Sequence, residues 1–343
     1  MALALFGIPN ACEVTLRIRT VASAVAVVGL ALLAAAVLLV RSQMTHRVSF
    51  GASRSVYQPA RAKDCAALPH RCGFPDSTNA GVPDRLRLRR VPGQISSGPG
   101  WHYDPRGFVV VSRPGAALRD LFVPCTISVT ASHVTIRDVR VVASGQNSIG
   151  IALENADDVT VEDSTIEGTN TRSGRLMDGI KDVYGNVTGS RILDNNILQA
   201  STGVQIYQGL VQGNYIHHLG MVSTDHVNGL TTNGDTRPLV IRHNTIFDSY
   251  GQTDAIGLFQ DFGVVANVTI DDNLLAGGGY TIYGGQGSKG QPSHIVITKN
   301  RISTRFFRQG GQWGPAAYFS THAPGDVWAG NVWDRTGRRI PAP

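Results

Sequence analysis

The chain has 343 residues, 39 of them Gly and 16 Pro, is only 7% aromatic, and carries a formal charge of +6. That length holds one extended domain plus a tail, and so much Gly with so few aromatics argues for many turns and short strands, not a helical bundle. The charge is mild for the size: it suits an acidic polymer or an anionic surface, but the basic residues are scattered and form no stripe that would track nucleic acid.

Residues 1–20 form a short segment expected on the cytoplasmic side. Val21 to Val40 is an apolar run without a charge, about the length that crosses a bilayer as a helix. It is long for a signal-peptide core, and no small-x-small cleavage site follows, so an uncleaved single-pass membrane anchor is expected. Arg17 and Arg19 precede it and Arg41 and Arg47 follow it, so flanking charge barely sets its orientation. Residues 41–69 read as a linker, and 70–343 as the folded domain, placed outside the cytoplasm. Disulfides are permitted there, and Cys65–Cys72 or Cys72–Cys125 would pair, with Cys12 before the span.

Arg85-Leu-Arg-Leu-Arg89 alternates as a half-buried strand does. Its arginines suit either the solvated outer face of a first coil or a patch for an anionic polymer or membrane surface. Short strands then follow one another: Val109–Val111, Ile127–Val129, Val134–Val141 and Val159–Ile166. Next comes a recurrent hexamer, apolar-x-x-Asn-x-apolar. Its copies are Ile192-Leu-Asp-Asn-Asn-Ile197, Val211-Gln-Gly-Asn-Tyr-Ile216, Ile241-Arg-His-Asn-Thr-Ile246 and Ile270-Asp-Asp-Asn-Leu-Leu275, continued at Ile297–Ile302 and Trp328–Trp333. The apolar ends Val141, Ile166, Ile197, Ile216, Ile246, Leu275, Ile302 and Trp333 recur every 19 to 31 residues, a repeat-protein period. Gly, Asn and Asp interrupt every window in which a crossover helix would fit. The pattern therefore predicts an all-β solenoid, a parallel β-helix with one repeat per turn. The hexamer's Asn195, Asn214, Asn244, Asn273, Asn300 and Asn331 would stack as a structural column.

The chain from about residue 70 to 340 resembles the right-handed parallel β-helix (pectin-lyase-like) superfamily, and is most similar to a group of actinobacterial secreted or anchored β-helix proteins. The residues that carry the likeness are Phe74-Pro-Asp-Ser-Thr-Asn-Ala-Gly-Val-Pro83, Gly98-Pro-Gly-Trp101, Val134-Thr-Ile-Arg137, Leu274-Leu-Ala-Gly-Gly-Gly-Tyr280 and Gly330-Asn-Val-Trp333. Right-handedness is an implication of this resemblance. The superfamily holds pectate lyases, polygalacturonases, alginate lyases and epimerases as well as proteins with no shown activity, so the likeness specifies the fold and leaves the reaction open.

Aligning the segments between hexamers on Ile151, Ile180, Val204, Leu230, Ile256 and Ile282 places the candidate chemistry in columns. Gly150, Gly179, Gly203 and Gly229, just before the aligned residue, would let a bulky polymer approach the backbone. Around them lie Asp178, Lys181, Gln205, Tyr207, Asn228, Asp254, Phe259 and Tyr283, with Asp225 and His226 one turn from Asp254. Amides and carboxylates for hydroxyls, with aromatic faces for rings, suit a sugar chain. Gln205, Tyr207, Asn228, Phe259 and Tyr283 are the expected polysaccharide contacts. Asp178, Lys181, Asp225, His226 and Asp254 are the expected catalytic set.

Clustered Asp with His resembles the superfamily's pectin hydrolases, though their full motifs are absent, and close carboxylates would separate acid from base. Lys181 between Asp178 and Asp182 would suit a lyase's base, with calcium on the two acids. No other cofactor and no dedicated metal site is expected. The blander alternatives are specific: Asp-Gly and Asn-Gly start turns, Lys181 suits a solvated face, His217-His218 and Asp225-His226 read as loop histidines near the groove, and Gln260-Asp261 suits a turn holder. The expected product of the sequence is thus an anchored, monomeric β-helix that binds, and as lyase or hydrolase cleaves, a cell-envelope glycan. The competing reading is a non-catalytic surface or adhesion protein.

Overall fold

A computed structural model describes residues 64–145 and 148–343; the expected anchor at 21–40 lies outside them. Among the described residues no helix is long and apolar enough to cross a membrane. One short 3-10 turn, Pro69–Cys72, is followed only by strands. The strands form a parallel solenoid of about eight turns. Two strips share a seventeen-stranded sheet and the third is an eleven-stranded sheet.

Each turn follows from the repeat. Its apolar ends pair rung on rung, Val141 with Ile166, then Ile197, Ile216, Ile246, Leu275, Ile302 and Trp333. The aligned residues of the eleven-stranded sheet do the same, from Ile151 through Ile180, Val204, Leu230 and Ile256 to Ile282. These columns are aliphatic and fully buried except at Trp333, which is half-buried at the last rung, and they form the core. The first rung is closed by an antiparallel hairpin, Ser97–Gly98 and Trp101–Asp104, laid on Phe108–Val111, which shields the solenoid's open end.

The corner between the two strips of the large sheet is built by the asparagines. Each Oδ1 accepts the backbone N–H and the Nδ2 of the previous Asn: Asn244 takes both from Asn214 at 2.9 Å, and Asn273 takes both from Asn244 at 2.9 and 3.0 Å. Each Nδ2 also donates to a strand carbonyl, as Asn244 does to Val211 at 3.0 Å. Ser164 continues the column beyond Asn195, donating its N–H to the Asn195 Oδ1. The residue before each ladder position is left-handed, with φ between 48° and 71° from Asp163 through Asp194, Gly213, His243, Asp272 and Lys299 to Gly330. Asp, Asn, His and Gly tolerate that region best, which is why the third hexamer position holds mostly those residues.

Residues 64–88 run along the outside of the large sheet against the direction in which the turns advance. The Ala66 N–H reaches the Asp334 Oδ2 near the last rung at 2.9 Å. Phe74 stacks on His243, whose Nε2 meets the Gly73 carbonyl at 2.9 Å. The Val82 N–H binds the Thr165 Oγ1 at 3.1 Å. Cys65 pairs with Cys72 at a Cα separation of 5.6 Å, one of the two pairings the sequence leaves open, while Cys125 remains a thiol that burial pushes up to about 11. The alternation of Arg85–Arg89 survives as half-buried Leu86 and Leu88 between exposed arginines. A ladder forms only at Arg89–Arg90, however, which pair with Leu121 and Phe122.

Candidate functional site

The outward face of the eleven-stranded sheet gathers most of the residues singled out in the sequence. Ala152, Lys181, Gln205, Thr231, Gly257, Tyr283 and Ala317 are successive rungs of one column. Beside it, Ile149, Asp178, Thr202, Asn228 and Asp254 form a second. At the low-numbered end the face opens into a hollow of about 380 Å³ lined by Arg106, Phe108, Ser128, Ala152 and Glu154 among others.

The glycine column does not lie on this face. A Cβ at Gly150, Gly179, Gly203 or Gly229 would strike the Cγ2 of Ile166, Ile197, Ile216 or Ile246 at 2.3–2.8 Å. Small residues are needed there because both they and the following aliphatic residue turn inward. They make room for the core and not for a polymer, which corrects the reading from sequence.

The five expected catalytic residues are not brought together. Asp178 is buried and accepts the Lys181 Nζ at 3.0 Å. Burial raises its pKa while the Lys181 charge opposes the rise. Asp178 and Asp254 share a column but stand three rungs apart, about 14 Å at the spacing of a parallel sheet. Asp225 is clamped by Arg175, whose Nε and Nη2 each reach a carboxylate oxygen at 2.6 Å, with further bonds from Ser201 and the Val222 N–H. Burial presses its pKa upward, but these donors outweigh it and hold the carboxyl below its ordinary value. A carboxylate so tied fastens the 221–225 loop to Arg175, just before one strand, and to Ser201 in the next; it is not disposed as a general base. His226 is exposed on that loop. Asp182 accepts the Gly185 and Val187 amides at 2.9 and 3.2 Å, so it holds its own turn and does not turn to a cation beside Asp178. Among the described residues no group of three His, Cys, Asp or Glu is arranged to hold a metal.

Asp254 is different. It is fully buried, and neither carboxyl oxygen has a hydrogen-bond partner. Its Oδ2 lies over Gly257, where a Cβ would come within 2.4 Å of it and equally close to the Phe259 ring. The Phe259 and Tyr283 rings lie 5.3 Å apart; Tyr283 meets Tyr280 edge-on at 5.5 Å and stacks on exposed Tyr318 at 5.5 Å. Burial, then the nearby Asp248, raises the Asp254 pKa well above the ordinary carboxylate value. Burial and the Asp254 charge push the Tyr283 hydroxyl up to about 12. In the adjacent rung the buried Asn228 Oδ1 is also unpartnered, its Nδ2 donating to Thr202 at 3.4 Å and to the His226 carbonyl at 3.2 Å. Further along, the Gln205 Nε2 approaches the Tyr207 hydroxyl at 3.5 Å.

Two features escaped the sequence reading. Asp248, buried at the end of Thr245–Asp248, lies close enough to raise Asp254 and is itself raised by burial. The Gly277-Gly-Gly279 run that passes against Asp254 was the available signal: a Cβ at Gly278 would lie 2.7 Å from the Asp254 Cα. The histidines at 217 and 218 were also misplaced. His217 is on strand Tyr215–His217 of the other sheet, stacked on Tyr215 at 3.8 Å and lowered by burial to about 3. Gln260 is a turn holder, bonded through both ends of its amide to the 285–290 loop.

Residues 125–302 match the family model described as the right handed beta helix region, and the chain belongs to that family. A comparison with curated proteins finds no match.

Proposed function

We propose that the protein binds a polysaccharide along the outward face of its smaller sheet, from Lys181 past Gln205 to Phe259 and Tyr283, with Tyr207 and Asn228 buried beneath it. One observation carries this reading: Phe259, Tyr283 and Tyr318 lie ring against ring on consecutive turns, incompletely covered, beside side-chain amides. Aromatic faces with a few amides suit sugar rings and hydroxyls, and outward aromatics call for a covering partner. The family fold is compatible with carbohydrate binding or degradation. The Cys65–Cys72 bridge supports an oxidising, extracytoplasmic setting, with the chain held by residues 21–40 and the glycan supplied by the cell envelope. Binding needs neither a cofactor nor a second subunit.

The test is affinity electrophoresis of the full chain through gels containing soluble polysaccharides. Retardation that Phe259→Ala and Tyr283→Ala each weaken would support the reading; unaltered migration through every gel would end it.

Cleavage is a second reading, favoured by Asp254 alone: an acid held protonated beneath aromatic rings can donate a proton to a glycosidic oxygen. It requires Phe259 or Tyr283 to move aside, because the carboxyl has no surface of its own. New reducing ends released by the wild type and not by Asp254→Asn would establish it. New absorbance from an unsaturated sugar would instead point to a lyase centred on Lys181.

A further inference from the structure

The two sheets differ in their cations. The strands of the seventeen-stranded sheet carry Arg89, Arg90, Arg119, Arg137, Arg140, Arg191, Arg242 and Arg301. The strands of the eleven-stranded sheet carry no Arg, and Lys181 is their one Lys. That lysine already sits 3.0 Å from the Asp178 carboxyl. Arg106, at the mouth of the hollow, is held by Asp104 through a 2.6 Å bond. At the edges Arg175 is clamped to Asp225 and Arg237 to Asp235; Lys289 and Arg172 stand exposed on the flanking loops.

The strand acids are equally committed, while Asp261, just past Phe259 and near Tyr207, stands exposed. Asp182 accepts backbone amides. Asp254 lies beneath the rings without an exposed oxygen. Glu154 in the hollow accepts the Ser128 hydroxyl at 2.8 Å. The face thus presents aromatic rings, the amide of Gln205, and strand charges that cancel within the protein.

From this we infer that the polysaccharide bound on this face is uncharged: a neutral glycan read by ring stacking and amide–hydroxyl bonds, and not a uronate polymer. The inference rests on the proposed glycan-binding function and specifies its ligand. A uronate chain brings one carboxylate per sugar, and laying it on a surface strips water from each. That cost is offset only by guanidinium or ammonium groups aimed at the ligand. Eight such groups lie on the wrong sheet, and the one on the right sheet is bound to Asp178. Calcium bridging would need carboxylate oxygens open on the face, and the strand acids there are buried or paired. A neutral chain needs none of these. Its apolar ring faces would cover Phe259 and Tyr283, and its hydroxyls would meet the Gln205 amide.

The experiment uses the full-length chain in a detergent without a sugar headgroup, migrating through gels with a neutral polymer (xylan, mannan or a mixed-linkage β-glucan) or an acidic one (polygalacturonate or alginate). Each acidic gel is run with and without calcium. Retardation is expected in at least one neutral gel, with an apparent affinity at least about tenfold above that for either uronate polymer. It should hold between roughly 50 and 500 mM salt, since no ion pair with the ligand is screened. Lys289→Gln, on an exposed flanking loop, should leave neutral-polymer affinity within about threefold. Preferential retardation by a uronate polymer, with or without calcium, overturns the neutral-ligand inference and leaves glycan binding standing. So does loss of binding at high salt or a tenfold loss in Lys289→Gln. Failure in all gels, neutral and acidic, removes the glycan-binding reading itself. Circular dichroism of each variant separates a lost contact from a lost fold.

Discussion

Two columns of buried polar side chains run along this solenoid, and they differ in one respect. From Asn195 to Asn331 each amide is buried and bonded to the next. From Asp178 to Asp254 the side chains are equally covered, but the column changes identity at every rung, and at Asn228 and Asp254 it holds oxygens with no partner. The spacing is the same, so stacking alone does not determine what a polar column does. Where one residue type repeats and is satisfied, the column fixes the turn. Where types vary and stay unsatisfied, the fold carries a cost that stability alone does not explain.

The contrast can be broken most directly at Asn244. Asn244→Ala removes bonds to Asn214, Asn273, Val211 and Arg242 at once and should destabilise by about 3 kcal/mol or more, counting roughly 1 kcal/mol per buried bond. A midpoint shift in urea denaturation checks this, and a shift of less than half that size would demote the ladder. Asp225→Ala should come next at about 3 kcal/mol, because it leaves the buried Arg175 guanidinium without its carboxylate. If that variant is as stable as the wild type and only glycan affinity falls, Asp225 belongs to the site after all.

On the other column the expected effects move from stability to binding. Tyr283→Ala should weaken glycan retardation by about tenfold, with little change in the denaturation midpoint of a face already partly exposed. The smallest effect is expected at Asp254→Asn, within about 1 kcal/mol at low pH, since no hydrogen bond to the carboxyl is lost. Its sign emerges with pH. Burial holds the folded carboxyl protonated above the value at which the unfolded chain releases its proton. The folded state therefore binds more protons, and stability contributed at low pH is lost as pH rises above about 4. From pH 4 to pH 8 the comparison should shift in favour of Asp254→Asn. A flat difference across that range would mean the carboxyl is exposed or paired in solution.

The ladder and the aliphatic columns were legible in the sequence because they depend on residues of one type recurring at one interval. Ile197 finds Ile216 and Asn214 finds Asn244 through repetition alone. The site was legible only as an address. Alignment put Asp254 three rungs from Asp178 in one column and Tyr283 beside Gly257, but not that Asp254 is buried beneath the rings without a partner. Nor did any pattern join Arg175 to Asp225, since that pair links two loops of different turns. The glycine column misled for a local reason. Strict alternation would turn Gly179 outward when Ile180 faces in, yet both turn inward, and only the contact with Ile197 reveals it.

The strap of residues 64–88 sets an order on how the chain can fold. A stack of turns can nucleate at any rung and grow by adding neighbours, and most of this domain's contacts are of that kind. Ala66, however, bonds to Asp334 across 268 positions of sequence. During synthesis the strap emerges first, and its last anchor emerges nearly at the end. Phe74 must wait for His243 and Ala66 for Asp334, and until each partner emerges the strand faces beneath the strap stand open. Closing the strap is therefore the final, slow, non-local step, and the Cys65–Cys72 bridge lies within the segment that must wait.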